Sequence, residues 1–378
     1  MMPSRVYLDH NAAVPLRAEA RDAIAAALGI GANPSSVHAP GRAARAIIEH
    51  ARKRIASLAG VAPESIVFTS GATEANSLAL KGASVARRLV SAVEHVSVPE
   101  ATDVEQIPVD GRGIVDLEAL ARMLDRTIPA LVSVMAANNE TGVIQPIAEV
   151  ARIAHDAGAL VHCDAAQAPG RIALAPIVAV CDLVSLSSPK VGGPQGSGAL
   201  IVRAGVDLKP QIMGGGQERR LRGGTENLSG IAGFGAAADA VMADASVARV
   251  TALRDRLEAD ARILAPEAIV IGADAPRLAN TSALALPGIP AESQILSLDL
   301  AGIAVGAGAA CSSGKIGRSH VLAAMGVPED VAAATIRVSL GATTTDADVD
   351  AFLAAWSALR ARARANRSAV GGFGREVA

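Results

Sequence analysis

The stretch "CDLVSLSSPKVGGPQGSG" (181–198) runs from apolar residues into a turn of Ser, Pro and Gly with Lys190 at its hinge. The chain holds only five lysines, Lys53, Lys81, Lys190, Lys209 and Lys315, so a lysine beside such a turn calls for a chemical reason. An amine placed there can hold an aldehyde as a Schiff base. Asp164 ends the mostly apolar "ALVHCD", where an unpaired carboxylate costs several kcal/mol, on the order of the penalty for one buried ion. It calls for a cation. "FTSGATEAN" (68–76) passes through a glycine into helical spacing, leaving unpaired N–H groups and the positive end of a helix facing outward. That end can hold an anion, with Thr73 adding a hydroxyl. Each feature alone has a plainer reading: a helix cap at Ser70 to Thr73, or an arginine partner or cap role for Asp164. Together they match an aldehyde, a protonated pyridine nitrogen and a phosphate, the three handles of pyridoxal phosphate.

Two further residues bear on the chemistry. His95 in "SAVEHVSV" could stack on a pyridine face, although a lone histidine is as readily structural. Cys311 lies in "VGAGAACSSGKIGRSH", with Lys315, Arg318 and His320 after it and no acid near it in sequence. Those surroundings favour the thiolate; the alternative is a small packing residue in a Gly/Ala-rich segment. Cys163 and Cys181, within or at the start of apolar runs, read as core.

The elements that would carry these residues alternate. "SIVFT" (65–69) precedes the helical "ATEANSLALKGASVARR", and "ALVSVM" (130–135) precedes the helical "IAEVARIAHDAG" (147–158). "ALVHCD" (159–164), "CDLVSLS" (181–187) and "GALIV" (198–202) follow as strands. This is the pattern of an α/β domain with a mainly parallel sheet covered by helices. In such sheets ligands bind beyond the carboxyl ends of the strands, where Ser70 to Thr73, Asn138-Asn139, Asp164 to Gln167 and Ser187 to Lys190 fall. Near Asp244 the texture changes to a charged helix, "VARVTALRDRLEADARIL", and then to shorter strands, "NTSALAL" and "IRVSLG". The expected division is a large domain over 15–245 and a smaller α+β domain of 1–14 with 246–378. The tail "RSAVGGFGREVA" reads as loose.

Composition narrows the class. The 378 residues carry a net charge of -2, which makes no electrostatic case for nucleic acid. Hydrophobic residues reach 51%, but alanine supplies many of them and no apolar run approaches the roughly 18 residues of a membrane span. The first residues lack the pattern of an export signal, so the expected compartment is the cytoplasm. Three cysteines are too few and too unpatterned for a disulfide framework or a zinc cluster, and no metal site is expected. "GAGAAC" (306–311) lacks the third glycine of a dinucleotide fingerprint.

From "YLDHNAAVP" through "ANPSSVH", "FTSGATEANSLALKG", "SAVEH", "ANNETGVIQPI", "HCDAAQAPGRI", "GGGQERRLRGGTEN", "GAACSSGKIGRSHVLAAMG" and "IRVSLG", the chain resembles the NifS/IscS-type cysteine desulfurases of the class V aminotransferase-like group. Nine motifs in the family's order cover nearly its whole length. The resemblance implies the fold type I architecture of pyridoxal phosphate-dependent transferases and conversion of L-cysteine to L-alanine, with a persulfide left on Cys311. It makes Lys190 the Schiff-base lysine and Asp164 the partner of the pyridine nitrogen. Gln167 and Asn139 fall on the cofactor hydroxyl face, and His95 on the ring stack as a proton carrier. Ala72, Thr73 and Ser187 hold the phosphate, with Thr225 reaching it from the second subunit of a homodimer. Asn33 and Arg337 bind the substrate carboxylate. The acceptor it implies is an iron–sulfur scaffold or a sulfur-relay protein.

Two departures stand out. The family's Ser-x-His-Lys is Ser187-Ser188-Pro189-Lys190 here, and His10, Ala13 and Val14 replace the more usual Asn and paired Thr. Alternatives are a selenocysteine lyase or an aminotransferase on the same fold, or a sulfur-relay component with little catalysis.

Overall fold

The computed structural model describes residues 5–308 and 318–373, with side chains to residue 365. In chain order the strands are β1 (Val6–Tyr7), β2 (Ile66–Thr69), β3 (Arg87–Ser91), β4 (Glu105–Ile107), β5 (Ala130–Ser133), β6 (Leu160–Asp164), β7 (Leu183–Ser187), β8 (Gly198–Val202), β9 (Ile269–Ile271), β10 (Thr281–Ala285), β11 (Ile303–Ala304), β12 (Gly306–Ala307) and β13 (Thr335–Ser339). The chain divides into two compact units. One comprises residues 13–139 and 143–245, the other 1–12, 140–142 and 246–378.

The first unit is built on a seven-stranded sheet ordered β2-β8-β7-β6-β5-β3-β4. All neighbours from β7 to β4 run parallel, while β8 is antiparallel to both β7 and β2. β2 therefore points the same way as β7, and the carboxyl ends of β2, β3, β5, β6 and β7 share one edge. Alternate residues enter two different cores, as the period of two in a strand requires. Phe68, Val132, Val161, Cys163, Val184 and Leu186 face a core shared with buried residues of the helices Ala39–Ala59 and Leu228–Met242. Val67, Val90, Leu131 and Leu200 face the other, filled by Ala75, Leu78 and Ala79 of the helix Ala72–Gly82. Covered on both faces, the strands are nearly continuous apolar runs.

Local chemistry sets the helix ends. Ala39–Ala59 starts where His38 Nδ1 accepts from Gly41 N (3.2 Å) and stops at Gly60, φ 70°, a left-handed position that glycine takes without a Cβ clash. Its buried Ala44, Ile48, Ala51, Ile55 and Ala59 follow the 3.6-residue period. One expectation is corrected. The helical reading of "ATEANSLALKGASVARR" runs too far, because the helix ends at Gly82 and Arg87 and Arg88 open β3. A Cβ at Gly82 would stand 2.8 Å from the carbonyl of Lys209, so the chain packs too closely there for any other residue. Arg87 N then bonds Pro129 O (3.2 Å), beginning the pairing with β5.

The second unit holds an antiparallel sheet, β12-β13-β10-β9, and the parallel pair β1-β11. The helices Val247–Leu264 and Asp346–Phe373 help to cover it, and the latter's backbone continues through most of the tail whose composition reads as loose. Its core is Leu257, Leu284, Ile336, Val338, Phe352 and Trp356, with Trp356 Nε1 donating to Gln294 Oε1 (3.0 Å) as a buried indole requires. Among the described residues no single helix is long and apolar enough to cross a membrane.

Candidate active site

Asp164 is the last residue of β6 and only 6% exposed. Its side chain points to the face covered by Ala72–Gly82, since Val161 and Cys163 occupy the opposite core. Oδ1 accepts from Ala166 N (3.0 Å) and Oδ2 from Asn76 Nδ2 (2.8 Å). Both donors are neutral, and among the described residues Asp164 forms no ion pair. Such a carboxylate is costly to bury alone and gains from a cation that joins it.

Asn76 links this carboxylate to His95. Its Nδ2 also donates to Ser97 Oγ (2.9 Å), and Ser97 Oγ lies 2.8 Å from His95 Nδ1. Ser97 N donates to the same ring nitrogen (3.2 Å), which makes Nδ1 an acceptor and assigns the proton of the neutral ring to Nε2. Neither Asn76 nor Ser97 stood out in the sequence. Asn76 looks like an ordinary polar residue one turn into a helix, and only its complete burial marks it.

The negative field of Asp164 is felt by its buried neighbours. Glu94 accepts from Met135 N (2.5 Å) and is raised well above the usual carboxylate range, first by burial and then by the Asp164 charge. His162, on the same face of β6, lies between Ser133 Oγ (2.8 Å) and Ser185 Oγ (2.9 Å), and burial lowers its pKa to about 4 despite the nearby carboxylate. His162 therefore stays uncharged at neutral pH. Burial also pushes the Cys163 thiol well up, with Cys181 beside it, consistent with core roles for both.

Lys190 lies in a 3-10 turn, Ser188–Val191, directly after β7, and is half-buried. The turn is pinned at several points. Ser188 N bonds Ser197 O (3.1 Å), Pro189 O accepts from Val14 N (2.9 Å), and Gly193 N bonds Ser188 O (3.0 Å). Pro189 occupies the first turn of the 3-10 helix, where an N–H would have no intrahelical partner and the fixed φ of proline suits the geometry. Among the described residues, Ser188 Oγ is buried without a hydrogen-bond partner.

At the end of β2, Gly71 caps the helix Ala72–Gly82 with no side-chain bond to its first N–H groups. The site has been left open. A Cβ at Gly71 would meet nothing within 4 Å, while one at Gly198 would stand 2.6 Å from the Gly71 backbone, so only glycine lets β8 pass under the turn. Thr73 is exposed at this end, and Ser187 is half-buried at the end of β7. Gln167 is 4% exposed, with its side-chain oxygen and backbone carbonyl both accepting from Arg171. Asn139 is half-buried three residues beyond Ala136, whose N–H bonds Asp164 O (2.9 Å). The same edge thus gathers Ala72, Thr73, His95, Asp164, Ser187 and Lys190, with Asn139 and Gln167 in the segments following β5 and β6.

The donor set fits pyridoxal phosphate: an uncompensated buried carboxylate for a pyridinium, an uncapped helix end for a phosphate, and a pinned lysine for an aldehyde. Asn33 is exposed and accepts from Ser35 N through Oδ1 (2.8 Å). Thr225 is exposed as well, at the end of a tract that is anything but loose. Glu218, Arg219 and Arg220 are consecutive left-handed residues, with φ of 43°, 55° and 69°. Such strain persists only where surroundings enforce it. Here the Glu218 carboxylate is buried, bound by both terminal nitrogens of Arg52 (2.8 and 2.9 Å) and by Phe68 N (2.9 Å).

In the other unit, Arg337 projects from β13, is 5% exposed and donates to Asp9 Oδ1 (2.7 Å). Gly306, opposite it on β12, leaves room for that pair, because a Cβ there would stand 2.7 Å from both the guanidinium and the carboxylate. Asp9 was not singled out in the sequence. Cys311 and Lys315 lie outside the described residues.

With this geometry in hand, the profile of the Aminotransferase class-V family matches residues 6–352. A cysteine desulfurase of Cereibacter sphaeroides is 44% identical, over 92% of this chain and 94% of that protein. A cysteine desulfurase IscS 1 of Archaeoglobus fulgidus is 43% identical, over 85% and 87%. Among solved structures, a NifS-like protein from Rickettsia africae superposes with a TM-score of 0.87 at 35% identity, covering 94% of this chain and 99% of the other.

Proposed function

Because the chain belongs to the Aminotransferase class-V family, we propose that it is a pyridoxal 5'-phosphate-dependent cysteine desulfurase that moves the sulfur of L-cysteine to Cys311 and releases L-alanine. Its fold is that of the fold type I pyridoxal phosphate enzymes, and cysteine desulfuration is the activity its curated relatives are named for. The observation that carries the reading is Asp164, a buried carboxylate with two neutral donors and, among the described residues, no ion pair, on the sheet edge that also holds the Lys190 turn and an uncapped helix end.

When bound, pyridoxal phosphate supplies an aldehyde for amines and a ring that draws electrons from the substrate Cα. Asp164 holds negative charge where the pyridine nitrogen keeps its proton. Lys190 Nζ would hold the aldehyde and, when free, serve as the base for the Cα proton. Arg337, steadied by Asp9, offers a guanidinium fork to the substrate carboxylate, with Asn33 beside that role. Ala72, Thr73 and Ser187 receive the phosphate, and Asn139 and Gln167 the ring hydroxyl. The Cys311 thiolate attacks the substrate sulfur. The S–S bond forms as the C–S bond breaks, the electron pair goes to Cβ, and a proton joins that carbon; no external oxidant or reductant is needed. His95, with its ring proton on Nε2, serves as proton carrier for the thiol or the new methyl group.

The persulfide passes to an acceptor protein, an iron–sulfur scaffold or a sulfur relay. A homodimer is supported by exposed Ile212 and Met213 close to the strained tract that ends at exposed Thr225, so that Thr225 would serve a neighbouring phosphate. Two buried, adjacent and unjoined thiols, Cys163 and Cys181, suit the reducing cytoplasm. The test is addition of pyridoxal phosphate and L-cysteine to the apoprotein and to Cys311→Ser. The parent should gain cofactor absorbance and release alanine with a persulfide mapped to Cys311. Cys311→Ser should bind cofactor and cysteine yet release no alanine. Full turnover by Cys311→Ser, or persulfide at Cys163 or Cys181, would overturn the assignment.

A further inference from the structure

We propose that Glu140 is a positioning residue for sulfur transfer, its buried carboxylate accepting from Ser319 and lying against Gly308, described positions on either side of Cys311 in the chain. Glu140 is 6% exposed. Ser319 Oγ donates to Glu140 Oε2 at 2.5 Å and accepts from Leu322 N at 3.1 Å, so the hydroxyl that begins the helix His320–Ala324 is held by the carboxylate. From the other side, Gly308 lies against the same oxygen. A Cβ built there would stand 2.2 Å from Oε2 and 2.9 Å from the carboxyl carbon, so a larger residue would have to displace the carboxylate.

The carboxylate has a firm base. Gly142, two residues on, has φ +78° and lies against Thr281 of β10, where a Cβ would come within 2.8 Å, and its carbonyl accepts from Leu278 N (2.8 Å). A side chain anchored to a sheet and touching both Gly308 and Ser319 fixes the two points between which the ten residues 309–318, Cys311 among them, must run. Burial raises the Glu140 pKa above the ordinary carboxylate value, against the Ser319 hydrogen bond and the attraction of His320 and Arg337. The contact with Ser319 is a hydroxyl donating to an acceptor oxygen, not a pairing of charges. That distinguishes the tie from an ion pair and sets the test: glutamine preserves it and alanine does not.

The part played in catalysis rests on the reading of Cys311 as sulfur acceptor, so the experiment has one arm independent of it. In the holoenzyme, alkylation of Cys311 by iodoacetamide is followed by mass spectrometry for the parent, Glu140→Ala, Glu140→Gln and Ser319→Ala. Cys163 and Cys181 are buried and do not compete. Alanine release is measured in parallel as kcat and KM for L-cysteine. Glu140→Ala and Ser319→Ala should change the alkylation rate several-fold and lower kcat about tenfold or more, the factor that one lost hydrogen bond supports. KM and cofactor content should stay within about twofold, and Glu140→Gln should behave as the parent. If alanine at 140 destroys folding, Ser319→Ala and Gly308→Ala carry the test, the latter by driving a methyl group into the carboxylate. Unchanged alkylation in these variants would overturn the proposal, as would a Glu140→Gln defect equal to that of alanine or a loss that tracks cofactor content. Altered alkylation in an enzyme whose Cys311→Ser form keeps full turnover would leave the tie standing and remove the desulfurase reading.

Discussion

Replacing Asp164 with Asn removes one buried charge and changes little else. The new amide oxygen can keep the bond from Ala166 N (3.0 Å), and the amide NH2 then faces Asn76 Nδ2, which now donates at 2.8 Å. Two donors would oppose each other, but Asn76 Oδ1 is buried without a partner among the described residues, so Asn76 can turn its amide and present that oxygen, giving up the Nδ2 bond to Ser97 Oγ (2.9 Å). The apoprotein should therefore lose no more than about 1 kcal/mol. Relief from burying an unpaired carboxylate works in the opposite direction, so its melting temperature should hold or rise. The holoenzyme should respond otherwise. A hydrogen bond to a charged group contributes about 1.5–3 kcal/mol, so pyridoxal phosphate affinity should fall roughly ten- to a hundredfold. Turnover should fall further, because the ring nitrogen no longer holds its proton against a carboxylate. Absorbance titration of the apoprotein with cofactor, calorimetry of the apoprotein, and alanine release at saturating cofactor measure the three quantities. The reasoning is refuted by a variant that binds and turns over like the parent, or by an apoprotein that loses several kcal/mol.

Three other outcomes follow from the same geometry. Lys190→Ala should abolish turnover and the absorbance of covalently held cofactor while the pinned turn keeps its bonds to Ser197 and Val14; normal desulfuration by this variant would exclude Lys190. Pro189→His should slow cofactor release by roughly one to two powers of ten, since a histidine can donate to the phosphate where proline offers neither a side-chain donor nor an N–H. Faster release would show that the fixed φ of Pro189 in its 3-10 turn matters more. His162 is held neutral by burial, with a folded pKa of about 4 against about 6.5 when unfolded. Its contribution is intact above the unfolded value and lost as pH falls from about 6.5 to about 4, up to roughly 3 kcal/mol in all. Glu94, with a raised pKa, acts in the opposite sense as pH rises above the ordinary carboxylate range. The measurement is thus the difference in unfolding free energy between the parent and His162→Asn, which should shrink toward low pH; a difference that does not vary with pH would mean that His162 is protonated in the fold.

Local pattern alone reached the strands β2, β5, β6, β7 and β8 to within two residues, because apolar alternation and the turn residues that bound it are properties of short segments. The rule that ligands gather beyond strand ends then led to Asp164, Lys190 and the Ser70 to Thr73 turn. The charged helix Val247–Leu264 was legible for the same reason. Where the helix from Ala72 stops was not, since Gly82 ends it under the pressure of a carbonyl at Lys209, a neighbour supplied by distant chain. The residues that complete the site escaped for that reason too. Asn76 meets Asp164 across 88 positions of sequence, and Asp9 meets Arg337 across 328. Nothing in "GATEAN" or "YLDHN" states those meetings, because each depends on strand order and register. The sequence determined which residue types stand at the ends of which strands; the tertiary structure decided which of them share a hydrogen bond, since burial leaves each polar atom only the partners that the packed chain brings within reach.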